Sequence, residues 1–154
     1  MKNILVTFLF SVILSGCATS QIAKDNLAWT NNYLKNNSTR PEVVTLESGL
    51  QYKVLKTGKG QTAKNANNVL VHYEGKLAKN DMVFDSTYTR GNPTKIPLWA
   101  VIDAWKIGIP LMKEGDKWEF YTPPWLAYGD RGAGYAIGPN VTLIFTVEVI
   151  KVID

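Results

Sequence analysis

The sequence predicts an α+β domain in which a sheet curls around one short helix, and three observations carry that prediction. Nearly everything after residue 48 reads as strand, in short apolar or alternating runs bounded by turn residues. Outside the N-terminus, the best-marked apolar helix is the stretch Pro97–Met112. Within it Val101, Ile102, Trp105, Ile109 and Met112 recur at a spacing that puts them on one helical face. A lone helix among strands buries that face only if the sheet wraps around it. Trp105, the largest residue on the face, then lies in the core or at the floor of a pocket.

The 154 residues suffice for one domain with appendages. Five Trp and seven Tyr exceed what a small core needs, which points to a ligand site lined by aromatics. A net charge of +4, with no basic run interleaved with aromatics, argues against nucleic acid as a partner. His72 is the only histidine, which all but removes histidine-based metal sites and Ser/His/Asp triads, and no metal or cofactor is expected.

At the N-terminus Met1-Lys2-Asn3 forms a short basic segment, and Ile4–Leu14 an apolar one of signal-peptide length. Leu14-Ser15-Gly16-Cys17 follows, and resembles the lipobox of bacterial lipoproteins. The resemblance implies cleavage before Cys17, lipidation of the only cysteine, and a membrane anchor. Ala18, where aspartate would favour inner-membrane retention, implies the periplasmic face of the outer membrane. The division expected is residues 1–16 signal peptide, 17–41 lipidated tether, and 42–154 folded domain. Within the tether, Ile22, Leu27, Trp29, Tyr33 and Leu34 form a weak stripe that predicts a helix over Gln21–Lys35. So short and polar a helix makes a poor dimer seam, and a monomer is expected.

From Val43 the elements follow in order. Ser48-Gly49 turns into a strand over Leu50–Leu55; a loop with Gly58 and Gly60 leads to a second over Val69–Leu77, with Val69, Val71 and Tyr73 on one face. Ala78–Asp81 is a hairpin connection to Met82–Asp85, and Ser86–Thr94 a polar loop into the helix. Pro110 and Gly115 tighten and end the helix. Lys117–Thr122 is a strand ended by Pro123-Pro124, Trp125–Pro139 a Gly- and Tyr-rich loop, and Thr142–Val152 the last strand.

Five separated motifs stand in family order: Val71-His72-Tyr73-Glu74-Gly75, Val83-Phe84-Asp85-Ser86-Thr87, Val101-Ile102 with Trp105, Leu126-Ala127-Tyr128-Gly129, and Pro139-Asn140 through Glu148. Together they resemble the FKBP-type peptidyl-prolyl cis-trans isomerases, in their bacterial envelope branch, over about residues 42–153. The resemblance implies a strongly twisted antiparallel sheet around one short helix. It implies a pocket with Tyr73, Phe84, Asp85 and Tyr128 in catalytic positions. Val101, Ile102, Trp105, Ile137 and Phe145 then bind substrate, joined by Ile96 where the family usually has an aromatic. Ala104 replaces the usual glycine before the tryptophan, and Gly138 the first of two common prolines.

The implied chemistry is rotation about an Xaa-Pro bond, whose barrier of about 18–20 kcal/mol is the lost amide resonance. Proline-containing polypeptides are then the partners, and no nucleophile is required. The alternative is a module that grips proline segments as a chaperone without turnover.

Overall fold

The computed structural model describes the backbone of residues 11–153 and side chains from residue 19. The N-terminal part of the expected signal peptide, residues 1–10, lies outside the described residues, as does the side chain of Cys17. No helix among the described residues is long and apolar enough to cross a membrane.

Helix α1 spans Ser11–Asn37; strands β1 to β5 span Val44–Thr45, Gln51–Lys56, Asn68–Leu77, Val83–Ser86 and Thr94–Pro97. Helix α2, Asp103–Gly108, precedes β6, Lys117–Thr122, and β7, Leu143–Ile153. All seven strands form one antiparallel sheet in the order β1-β2-β6-β7-β3-β4, with β5 also paired to β3. The last strand, β7, therefore lies at the centre, between β6 and β3.

The alternation read from β7 is the burial seen: Leu143, Phe145, Val147 and Val149 are buried in the main core with Val69 and Val71 of β3 and Phe120 of β6. Trp105, Ile109 and Met112 join them from the helical segment.

That segment is shorter than the single helix expected over Pro97–Met112. Pro97 ends β5, where it pairs with Asn68, and Leu98–Ala100 is a separate 3₁₀ turn. Val101 and Ile102 are extended, so they precede α2 instead of lying on its face. Pro110 has no N–H to give an α-helix, and Ile109–Leu111 tightens into a second 3₁₀ turn. Gly108 is fixed by packing: a Cβ there would stand 2.5 Å from the Phe120 ring. The strand β5 was hidden by its brevity and its closing proline.

The tether helix is longer than expected and is docked on the domain. Thr30, Leu34 and Asn37 are buried. Leu34 meets Tyr121 and Ile144 in a small second core. Asn37 Nδ2 donates to Gln51 Oε1 at 2.8 Å, and Gln51 Nε2 to the Leu34 carbonyl at 2.9 Å. Thr142 Oγ1 donates to Thr30 Oγ1 at 2.9 Å, and Thr30 Oγ1 to the Asn140 carbonyl at 3.0 Å. With 27 residues, α1 no longer supports the argument from shortness for a monomer.

Candidate active site

The site is set by a gap at one edge of β3. The other edge pairs with β7 from Asn68 to Leu77. On the gapped edge β5 covers residues 68–71 and β4 covers 74–76. His72 and Tyr73 fall between them, and Thr87 supplies what a strand would. Tyr73 N–H donates to Thr87 Oγ1 at 2.8 Å, while Thr87 N–H and Oγ1 donate to the Tyr73 carbonyl at 2.9 and 3.1 Å. His72 Nδ1 lies 2.9 Å from the same hydroxyl, and its ring stacks on Tyr88 at 4.7 Å.

Tyr73, so held, is one wall of a cavity of about 490 Å³ lined by Phe84, Asp85, Ile96, Ala100, Val101, Ile102, Trp105, Tyr128 and Phe145 as well. Its aromatic walls meet edge to face. Tyr73 and Trp105 have centroids 5.0 Å apart at 79°, Trp105 and Phe145 5.3 Å at 77°, and Phe145 and Phe84 5.7 Å at 87°. Edge-to-face contact matches a positive ring edge to a negative ring face and fixes the walls. Gly75 makes room for them: a Cβ would stand 2.6 Å from Phe84 and 2.8 Å from Phe145. The Trp105 indole N–H is buried with no protein partner among the described residues, as are the Trp118 indole N–H and the Thr122 hydroxyl outside the cavity.

One side of the cavity is polar. Tyr73 O–H donates to Asp85 Oδ2, and Arg90 pairs with Asp85 Oδ1. Arg90 also reaches the Tyr73 hydroxyl at 3.3 Å and stands 5.8 Å above its ring. Burial pushes the Asp85 carboxyl up, but the hydrogen bonds from Tyr73 and Arg90 outweigh it and hold the group below its ordinary value. Burial, and then the bond to Asp85, raise Tyr73; burial and the Asp85 charge raise Tyr128. Asp85 is thus a fixed anion that orients Tyr73, and both phenols stay protonated at neutral pH. Tyr128 O–H and Ile102 N–H have no hydrogen-bond partner among the described residues, so each can serve a ligand's carbonyl.

Nine of the ten residues expected in the pocket meet around this cavity, together with Ala100. Ile137 does not line it: it is buried in the main core and closes a small bridge with Ala133. Arg90 escaped the sequence reading because nothing in a polar loop says which carboxylate its cation will find.

The cavity is an aromatic bowl with a fixed anion on one side and two donors that have no partner among the described residues. The description "FKBP-type peptidyl-prolyl cis-trans isomerase" matches residues 59–150, and "domain amino terminal to FKBP-type peptidyl-prolyl isomerase" residues 15–54. The chain belongs to the FKBP-type peptidyl-prolyl cis-trans isomerase family.

The peptidyl-prolyl cis-trans isomerase Mip of Coxiella burnetii is 50% identical over 120 residues, covering 78% of this chain and 52% of that protein. The outer membrane protein MIP of Legionella longbeachae is 38% identical over 153 residues, covering 99% of this chain and 65% of that one. The crystal structure of FkpA from Escherichia coli matches 89% of this chain and 63% of its own with a TM-score of 0.82 at 37% identity. The chain spans about half to two thirds of the length of these relatives. The match to the amino-terminal domain runs past residue 41, across the boundary expected between tether and folded domain.

Proposed function

We propose that the chain is a peptidyl-prolyl cis-trans isomerase that assists folding of envelope proteins. The observation that carries the reading is the cavity itself, with Trp105 as floor and Tyr73, Phe84 and Phe145 as walls. A proline ring would rest on Trp105. The twisted amide has less charge separation than either planar isomer, so an apolar enclosure disfavours it less than water does. Tyr128 O–H and Ile102 N–H would hold the flanking carbonyls, fixing one part of the segment while the other turns. Asp85 would act through Tyr73, whose hydroxyl it fixes. Only binding that is tighter in the twisted state accelerates the step.

The Leu14–Cys17 motif and the absence of aspartate at Ala18 support a lipid-anchored protein on the periplasmic face of the outer membrane. A relative named as an outer membrane protein is consistent with that location.

A protease-coupled assay of the chain with an Ala-Leu-Pro-Phe type peptide tests the activity. Isomerisation faster than the uncatalysed 10–100 s, lowered by Trp105→Leu, is expected. Tight peptide binding at the uncatalysed rate would establish the non-catalytic module instead.

A further inference from the structure

We propose that Trp99 determines specificity by taking a large apolar side chain near the proline of the bound segment; the assignment rests on the isomerase reading above. Trp99 is 80% exposed and makes no hydrogen bond or ring contact among the described residues. Its neighbours on either side are committed. Leu98 is buried and its N–H donates to the Asn67 carbonyl at 2.9 Å; Ala100, Val101 and Ile102 line the cavity.

The 3₁₀ turn Leu98–Ala100 explains this division of labour. With three residues per turn, successive side chains point about 120° apart. Leu98 takes the core direction and Ala100 enters the cavity, which leaves Trp99 facing solvent one residue before the cavity lining. The turn is held at its start by Pro97 in β5, so the ring is presented from a fixed backbone.

Distance sets which substrate residue it meets. Two Cα steps separate Trp99 from Val101, at most about 7.6 Å. An extended polypeptide advances about 3.3 Å per residue. A proline seated against Val101 therefore brings the side chain two or three positions away over the indole. Trp125, also exposed, differs in donating its indole N–H to the Ser48 carbonyl, an internal use that Trp99 lacks. Ile96, Ala100, Val101 and Ile102 line the cavity, and Trp99 adjoins Ala100 along the chain; this adjacency makes an extended proline-containing segment its occupant.

The experiment is a set of Xaa-Pro peptides carrying Phe, Gly or Glu two and three positions from the proline, on either side. The full chain is compared with Trp99→Ser and Trp99→Phe by kcat/KM. The wild type should prefer Phe over Gly on one side. Trp99→Ser should lower that ratio roughly two- to twelvefold, mainly through KM, because the contact is the same in ground and twisted states. Trp99→Phe should keep most of it. No preference in the wild type, or an unchanged ratio in Trp99→Ser, overturns the proposal. If no peptide is turned over at all, the isomerase reading fails, and the same ratio read in dissociation constants decides Trp99 separately.

Discussion

Thr87 serves Tyr73 as a strand would: one loop residue satisfies both the N–H and the carbonyl of the tyrosine where β4 and β5 leave it unpaired. Thr87 is fully buried, so no water replaces it. Thr87→Val keeps the shape and removes the hydroxyl, stranding the Tyr73 N–H. The expected cost is about 1–3 kcal/mol of stability, read as a lower denaturation midpoint, with reduced isomerase activity as Tyr73 loosens.

Gly75→Ala drives a methyl into Phe84 and Phe145. Since both rings line the cavity, activity should fall along with roughly 1–3 kcal/mol of stability. A variant with unchanged rate and midpoint would mean that the two rings retreat freely.

Tyr128→Phe removes the free hydroxyl and nothing else. A neutral hydrogen bond contributes about 0.5–1.5 kcal/mol, so kcat/KM should drop about 2- to 13-fold while the midpoint stays constant. A larger loss would make Tyr128 more than a holder of one carbonyl.

The pH dependence follows from the directions of the shifts. Asp85 is held below its ordinary value, so its contribution to stability is fully present above about pH 3.9 and fades as pH falls through the lowered folded value. Tyr73 and Tyr128 are held above theirs, so what they contribute is present below about pH 10 and is lost as pH rises through the raised folded values. From these groups, stability should be level between about pH 5 and 9. Titrating the thermal midpoint in acid should show a fall in the wild type that is smaller in Asp85→Asn.

A fragment from residue 40 retains the complete sheet and α2, and should fold. It uncovers the Leu34–Tyr121–Ile144 cluster and leaves the Gln51 amide without Asn37. The midpoint should correspond to a loss of roughly 3–6 kcal/mol. A fragment as stable as the full chain would return α1 to the role of a loose tether.

The longer strands and most of the cavity were legible because they rest on local signals, while the short β1 and β5 were not. Alternation in β7 names its buried face, and the family motifs carry Tyr73, Asp85 and Tyr128 to their places. Part of what was not legible depends on partners far along the chain. The docking of α1 rests on Leu34 and also on Thr30 meeting Thr142 and Asn26 meeting the Pro139 carbonyl, polar contacts that the weak apolar stripe does not reveal. Arg90, which pairs with Asp85, and Ile137, which bridges to Ala133, have partners close by, but side-chain type alone does not name them.

The central place of β7 bears on how the molecule is made. Its partners β3 and β6 precede it in the chain, and β3 joins the rest of the sheet only through it, apart from β4 and β5. During synthesis, the earlier strands therefore wait with open edges until β7 arrives. Closure is a late, long-range event, of the kind that slows folding, and a chain released short of β7 would present unpaired β3 and β6 to its neighbours.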